Sequence, residues 1–383
     1  RGMAKFLLQW EREALAKGDE PIFDHAFIAE HTATVDDYLA VVDATTWEQI
    51  ESQSGLTLGE IELATRMYVK AKNVIMCWAM GITQHRHSVP TIQEIANLML
   101  LRGNVGVPGS GLCPVRGHSN VQGDRTMGIN ERPPVALLDS LERRFGFPVP
   151  RHNGHNTVEA IHAMLEGRAK VFIGLGGNFA QATPDTDRTA QAMRNCDLTV
   201  HISTKLNRSH LIHGKEALIL PCFGRTDIDQ QGEGPQAVTV EDSFSMVHAS
   251  NGQLKPLSRQ MRSEPAIVAG IAAATVGNRP VDWNWLIADY ARIRDLIADT
   301  IPGFDQFNER LKHPGGFYLG NNAAQRVWKT ASGKANFVAN PLPRDLLPAQ
   351  VRDSGLEPDL ILQTLRSHDQ YNTTIYGLDD RYR

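Results

Sequence analysis

The glycine-rich segment "GLCPVRGHSNVQGDRTMG" (111–128) places an arginine where it could bind an anion. Arg116 stands directly before Gly117, and glycine lets a backbone approach a ligand closely. A guanidinium held in this way can bind a carboxylate or a phosphate through two parallel hydrogen bonds. The same spacing also fits an arginine that joins the loops of two domains, so the segment alone leaves both roles open.

Four further polar loops follow predicted strands, where open α/β sheets bind their ligands. They mix Gly, Asn, Gln, Ser, Thr and His, which hold phosphates, sugars and heteroaromatic rings by hydrogen bonding. One such loop is typical of an ordinary surface, whereas four together with the glycine-rich segment predict a large polar ligand. The loops are "GITQHRH" (81–87), "GGNFAQATPDTD" (176–187), "HISTKLNRS" (201–209) and "QTLRSHDQYNTT" (363–374).

Signatures of several other catalytic sites are absent from the sequence. The run "GLGGN" (174–178) begins like a dinucleotide fingerprint, but Phe179 takes the place of its last glycine, which argues against a nicotinamide cofactor. The sequence contains no G-x-S-x-G, no H-E-x-x-H and no P-loop. His85 and His87 could bind a metal ion, although a hydrated histidine pair is the commoner explanation of this spacing.

Composition and charge exclude several classes of partner. A length of 383 residues predicts two or three domains. The net charge of −4 gives no attraction to nucleic acid or to a membrane surface, and no apolar run is long enough to span a bilayer. The cysteines form no C-x-x-C pair, which argues against a disulfide framework, a zinc site or an iron–sulfur site in this chain and favours the reducing cytoplasm. They are Cys77, Cys113, Cys196 and Cys222.

Hydrophobic periodicity predicts an α/β fold with two doubly wound, Rossmann-like parallel sheets. Residues 57–72 predict a helix that begins at a Thr57–Glu60 capping box, and residues 73–81 predict a strand buried on both faces. A helix over 92–103 should end at Gly103. The alternation then recurs as helix 157–170, strand 171–178, helix 185–196, strand 197–204 and strand 216–223.

The remaining sequence predicts less regular structure. Residues 224–262 lose periodicity and predict irregular β structure, whereas residues 283–301 predict one helix. The run "KTASGKANF" (329–337) resembles a hairpin. After a linker at 340–355, the sequence predicts the strand that begins a further unit.

The chain resembles the molybdopterin-dependent oxidoreductases, specifically the formate-dehydrogenase-H-like branch of the dimethyl sulfoxide reductase superfamily. The resemblance rests, in chain order, on "DHAFIAEHT", "MGITQ", "GNVGVPGSGLCPVRG", "NVQGDRTMG", "LILPCF", "TASGKANF" and "LILQTLRSHDQYNT". It implies two molybdopterin guanine dinucleotides on one molybdenum or tungsten ion. It further implies that a small anionic substrate, formate in the relatives, is oxidised by two electrons, which leave through a 4Fe-4S cluster to a possible acceptor protein.

The resemblance also implies that this chain is about half of such an enzyme and inactive alone. The iron–sulfur domain and the metal-ligand residue would lie upstream, with no metal ligand in this chain. Residues 1–118 would form the second half of one dinucleotide-binding α/β domain and 119–223 a second such domain. Residues 224–340 would form an irregular β and helical segment near the cluster domain, and 357–383 the first strand of a C-terminal barrel domain.

Site residues carry over from the resemblance by matching position. Arg116 would orient the substrate carboxylate, and His118 would handle protons or hydrogen-bond the pterin. The residues implied to bind the cofactors are Gly117 and Asn120 beside the pterin and substrate; Gly81, Thr83 and Gln84 on one dinucleotide; Gly176, Gly177, Asn178 and His201 on the nucleotide end of the other; and Leu365, Arg366, Gln370, Tyr371 and Asn372 on its pterin.

Two positions depart from the formate dehydrogenase pattern. His118 replaces a glutamine beside the metal, and Gln370 replaces a histidine near the end of the chain. Both departures leave cofactor binding intact and weigh against formate itself as the substrate. The rival prediction is a non-catalytic relative that keeps the fold as a structural or electron-relay subunit, which retention of the arginine-bearing loop disfavours.

Overall fold

A computed structural model describes residues 1–343 and, beyond them, only residues 351, 354, 355, 360 and 362. The chain divides into two compact units. The first contains residues 1–122 and 241–245 and the segment that begins at Tyr318, and the second contains residues 123–240 and 246–317.

Helices and strands alternate along most of the described chain. The helices are α1 (Gly2–Lys17), α2 (His25–His31), α3 (Val35–Ala44), α4 (Trp47–Ser54), α5 (Leu58–Lys70), α6 (Met80–Thr83), α7 (Ser88–Leu101), α8 (Val121–Thr126), α9 (Val135–Phe145), α10 (Thr157–Leu165), α11 (Phe179–Ala182), α12 (Thr186–Arg194), α13 (Glu264–Val276), α14 (Trp283–Ala288), α15 (Tyr290–Thr300) and α16 (Phe307–Arg310), with a 3₁₀ turn at Arg208–Leu211. The strands are β1 (Thr32–Ala33), β2 (Ile75–Trp78), β3 (Gly111–Pro114), β4 (Val171–Leu175), β5 (Leu198–Ser203), β6 (Glu216–Pro221), β7 (Asp229–Gln231), β8 (Gly234–Gln236), β9 (Val238–Glu241), β10 (Met246–Ser250), β11 (Phe317–Tyr318) and β12 (Ala335–Asn336).

The first unit has a core formed mainly by α1, α3, α5 and α7. Leu7, Tyr38 and Met99 are fully buried in it. Helix α5 begins at the predicted capping box, in which the Thr57 side chain accepts from the amide of Glu60, and Gly103 follows α7 with a φ of 61°. The unit also contains a parallel pair of strands, β2 and β3.

The second unit contains a parallel sheet with the strand order β4-β5-β6. Because side chains alternate along a strand, β5 supplies both faces of this sheet. Val200 and Ile202 pack with Ile267 of α13, whereas His201 points to the opposite face, beside Phe172. The unit also contains the antiparallel pair β7–β8, and a further sheet has the order β11-β10-β9. The predicted α/β class with parallel sheets is therefore confirmed.

Three predicted elements differ from the structure. The strand predicted over 73–81 as buried on both faces is the shorter β2, in which Ile75 and Cys77 are exposed. The helix predicted over 283–301 is interrupted at Asp289, whose side chain caps α15 by accepting from the Ala291 amide. Gln236 accepts from the Tyr290 amide at 2.7 Å, so contacts outside the helix satisfy the break. The predicted hairpin at 329–337 is wrong, because β12 pairs in parallel with β1, Thr32 opposite Ala335, about 300 residues earlier.

Candidate functional site

In the first unit, the carboxyl ends of β2 and β3 bring two of the predicted loops together. The strands pair in parallel with Trp78 opposite Pro114, and the Val115 amide donates to the Trp78 carbonyl at 2.8 Å. A Cβ placed on Gly117 would lie 2.9 Å from the sulfur of Met80, so the two turns touch. Parallel pairing thus places the loop with Gly81, Thr83 and Gln84 beside the loop with Arg116, Gly117, His118 and Asn120.

Arg116 is held by contacts within the first unit. Its backbone amide donates to Ser243 Oγ at 3.0 Å, and its Nε donates to Gln122 Oε1 at 3.2 Å. Within residues 1–343, neither Nη group of this exposed side chain has a hydrogen bond or an ion pair. The side chain thus bonds to its own loop while its two Nη groups face outward.

Neighbouring residues shape the rest of this loop. Asn120 has a left-handed φ of 66°, and its Oδ1 accepts from the Glu241 amide at 3.0 Å. Its side chain therefore fixes the segment 241–245, which carries Ser243. His118 is exposed next to Arg116. On the β2 side, Gly81, Thr83 and Gln84 are exposed, and the Thr83 hydroxyl donates to the Met80 carbonyl at 2.7 Å.

In the second unit, two consecutive glycines form the turn that follows β4. Gly176 and Gly177 have φ values of 70° and 71°, and a Cβ on either would meet no atom within 4 Å. The Gly176 amide donates to the Ile202 carbonyl at 2.8 Å, and the Gly177 carbonyl accepts from Asn207 Nδ2 at 2.7 Å. Neither glycine carries a side chain, so the backbone of the turn is accessible. The hydrogen bonds to Ile202 and Asn207 hold the turn in place.

Asn178 completes this turn through Ser209, which lies in the 3₁₀ turn after β5. The Ser209 hydroxyl donates to Asn178 Oδ1 at 2.8 Å and accepts from the Ala180 amide at 2.9 Å. Asn207 and Ser209 lie in one of the predicted polar loops but were not identified individually. The run "NRS" (207–209) was part of a predicted polar loop. Its partners in the loop after β4 could not be predicted, because the sheet brings the two loops together.

His201 is buried, at 5% exposure, under this part of the sheet. Its ring centroid lies 4.8 Å from that of His210 and 5.8 Å from that of Phe172. Burial, followed by the charge of His210, lowers the pKa of His201. The Nε2 atoms of both histidines are buried and have no hydrogen-bond partner in the described part of the chain. His210 was missed by sequence reasoning, since no local signal indicates that its ring contacts that of His201.

A cavity of about 260 Å³ opens where β5 and β6 end, lined in part by Thr204 and Gly224. Arg225, Asp227, Asp229 and Glu264 also line it, and burial raises the pKa of Glu264. Arg225, Asp227 and Asp229 lie in the segment 224–262, which the sequence predicted only as irregular β structure, and Glu264 begins α13. The cavity therefore extends the polar region along the carboxyl edge of this sheet.

The remaining predictions concern the C-terminal site residues, a metal site and a membrane span. Leu365, Arg366, Gln370, Tyr371 and Asn372 lie outside the described residues. His85 and His87 are exposed. No set of three or more His, Cys, Asp or Glu side chains in the described residues could hold a metal ion. Across those residues, no helix has the length and hydrophobicity to cross a bilayer.

Known proteins are similar to this chain over its whole length. It is 47% identical over 383 residues to Protein YdeP of Escherichia coli strain K12, covering all of this chain and 50% of that protein. It is 48% identical over 384 residues to the uncharacterized oxidoreductase Rv2900c of Mycobacterium tuberculosis strain H37Rv, covering 48% of that protein. The chain therefore spans about half the length of these curated relatives.

More distant similarities concern part of the sequence or the fold. Formate dehydrogenase H of Escherichia coli K12 is 30% identical over 191 residues, which are 48% of this chain and 27% of that enzyme. Acetylene hydratase from Pelobacter acetylenicus has the same fold, with a TM-score of 0.54 at 15% identity over 92% of this chain and 49% of that one. Residues 23–211 match the molybdopterin oxidoreductase family. The chain therefore carries a molybdopterin oxidoreductase family domain over residues 23–211.

Proposed function

We propose that this chain forms part of an oxidoreductase that binds two molybdopterin guanine dinucleotides and oxidises a small anionic substrate by two electrons. The family domain implies a molybdopterin cofactor and a metal. The dinucleotide form, the 4Fe-4S cluster that would remove the electrons and the anionic substrate are our proposals. They are supported by the polar loops at the carboxyl ends of β2, β3, β4 and β5.

The Gly176–Gly177 turn carries this proposal. Two successive left-handed residues expose their backbone to open space, and loops of this kind bind phosphate oxygens through amide groups. Because the Gly176 amide donates to the Ile202 carbonyl, the Gly177 amide is the one that would bind a phosphate oxygen. The Asn207 and Ser209 contacts fix both sides of the turn, so its shape does not depend on a ligand. The residues present thus fit the nucleotide end of a dinucleotide, which Asn178 and His201 would also hold.

Residues of the first unit would bind and orient the substrate. Such a cofactor supplies, when bound, the metal at which the substrate gives up two electrons. Arg116 would bind the substrate carboxylate through its two outward Nη groups, and the exposed imidazole of His118 would accept or hold a proton beside it. Gly117 and Asn120 would line the same pocket, and Gly81, Thr83 and Gln84 would contact a dinucleotide.

The remaining parts of the site would come from other segments. We propose that Leu365, Arg366, Gln370, Tyr371 and Asn372 contact a pterin, and that the metal ligand and the cluster lie outside this chain. The domain roles proposed for 1–118, 119–223, 224–340 and 357–383 belong to the same proposal. It follows that the 383-residue chain alone should not turn over substrate.

Metal and nucleotide analysis of the full-length protein, purified without oxygen, tests this function. We expect molybdenum or tungsten with about two guanine nucleotides per metal ion, released as GMP by acid hydrolysis. Absence of both would overturn the proposal. A loaded protein that reduces no dye acceptor with any small carboxylate would overturn the catalytic part alone and favour a structural or electron-relay role.

A further inference from the structure

The β2–β3 pair brings two distant cysteines into register. Cys77 and Cys113 are 36 positions apart in the sequence but face each other on adjacent parallel strands. Neighbouring strands lie about 4.8 Å apart, and disulfides join residues whose Cα atoms are about 4.4–6.8 Å apart. Because register partners point to the same face of the sheet, the two sulfur atoms lie on the same side of it.

The two thiols differ in their surroundings. Cys77 is exposed, whereas Cys113 is 5% exposed. Burial raises the pKa of the Cys113 thiol, and the neighbouring Cys77, by charge and hydrogen bonding, raises it further. An accessible sulfur beside a buried one that stays protonated is the arrangement of an attacking thiol and a resolving thiol.

We propose that Cys77 and Cys113 form a redox-active thiol pair that closes to a disulfide by exchange with a low-molecular-weight disulfide such as oxidised glutathione. The Cys77 thiolate attacks one sulfur of glutathione disulfide, forming a mixed disulfide and releasing one glutathione thiolate. Cys113 then loses its proton and attacks the Cys77 sulfur, releasing the second glutathione. The pair loses two electrons and two protons, and glutathione disulfide is reduced to two thiols.

Closure would act at the base of the candidate site. Arg116 follows Cys113 by three residues, and Met80, which touches Gly117, follows Cys77 by three. A covalent bond between β2 and β3 at this point would restrict the two loops that leave the sheet there. The inference goes beyond the proposed function and does not depend on it, because the exchange needs only the two cysteines and glutathione.

The test is alkylation and peptide mapping of the folded full-length protein after incubation in buffers of increasing glutathione disulfide content. We expect a Cys77–Cys113 cross-link that dithiothreitol reverses, while the buried Cys196 and Cys222 remain available for alkylation after denaturation. The control variant Cys222→Ser should behave like the wild type. Cys113→Ser should retain glutathione on Cys77, and Cys77→Ser should leave Cys113 unmodified.

Two results would overturn the proposal. One is a folded wild-type protein in which Cys77 and Cys113 both stay free thiols in the most oxidising buffer, and the other is glutathione that stays on Cys77 without a cross-link. If Cys113→Ser fails to fold, as circular dichroism would show, Cys77→Ser decides the matter. Because Cys77 is exposed, this variant should fold. A disulfide that involves Cys113 and still forms in Cys77→Ser would exclude Cys77 as the partner of Cys113.

Discussion

The Ser209 hydroxyl lies 2.8 Å from Asn178 Oδ1 and joins the loop after β5 to the loop after β4. The same hydroxyl accepts from the amide of Ala180, a fully buried residue. The Ser209 side chain thus accepts from the buried Ala180 amide and orients the side-chain amide of Asn178, which follows the Gly176–Gly177 turn. The shape of that turn therefore depends on a residue some 30 positions away in sequence.

Replacement of Ser209 by alanine should destabilise the second unit. The Ala180 amide would lose its acceptor inside the protein, at a cost of about 1–3 kcal/mol in the free energy of unfolding. Urea denaturation of the variant measures this change. Ser203→Ala is the control, because its hydroxyl bonds the Lys205 carbonyl at an exposed position and its loss should cost within about 0.5 kcal/mol. Equal decreases in the free energy of unfolding of the two variants would show that Ser209 does not stabilise the loop after β4.

Stability should fall as the solution becomes acidic, through His201. Its pKa in the folded chain is lowered from the ordinary value of 6.5, so the unfolded chain binds more protons between the two values. The free energy of unfolding is therefore undiminished by this group above pH 6.5 and decreases as the pH falls below it. His201→Gln should flatten this slope, measured by urea denaturation at successive pH values, whereas the exposed His152→Gln should not. An unchanged slope in His201→Gln would assign the acid sensitivity to other groups.

Local patterns predicted the elements and the edge of the sheet that carries the polar loops. The Thr57–Glu60 box and Gly103 depend on neighbouring residues, and both occur as expected. Continuous apolar runs indicated parallel strands, and parallel strands place the loops that follow them at one edge. The position of the Gly81 loop at the end of a strand could therefore be inferred without coordinates. Strand β3 (Gly111–Pro114), which places the Arg116 loop beside it, was not predicted.

Contacts between distant segments could not be inferred in this way. The break at Asp289 depends on Gln236, which accepts from the Tyr290 amide, and periodicity over 283–301 carries no trace of that partner. Strand β12 forms because it pairs with β1, where Thr32 lies opposite Ala335. The same holds for the contact between the rings of His210 and His201, which is set by the packing of the 3₁₀ turn on the sheet.

Replacement of Gly177 by alanine should remove nucleotide binding and should destabilise the protein only through the unfavourable backbone conformation. Its φ of 71° is unfavourable for alanine by about 1–2 kcal/mol, and nothing in the described chain lies within 4 Å of the new Cβ. Gly146→Ala is a matched control, because Gly146 has the same φ of 71° and the same open surroundings after α9. Both full-length variants should lose similar stability. Only Gly177→Ala should lose guanine nucleotide, and retention of GMP in that variant would separate this turn from the cofactor.

Replacement of Arg116 by lysine should weaken the use of an anionic substrate without unfolding the protein. Lysine keeps the charge but cannot form two parallel hydrogen bonds to a carboxylate, a loss of about 1.5–3 kcal/mol, or about tenfold to a hundredfold in kcat/KM. The measurement is dye reduction by full-length protein with formate and other small carboxylates, together with the metal content of each variant. Arg12→Lys provides the control, since that exposed arginine pairs with Asp43 on the surface of the first unit. Equal kcat/KM in Arg116→Lys and wild type, at equal metal content, would remove Arg116 from the substrate site.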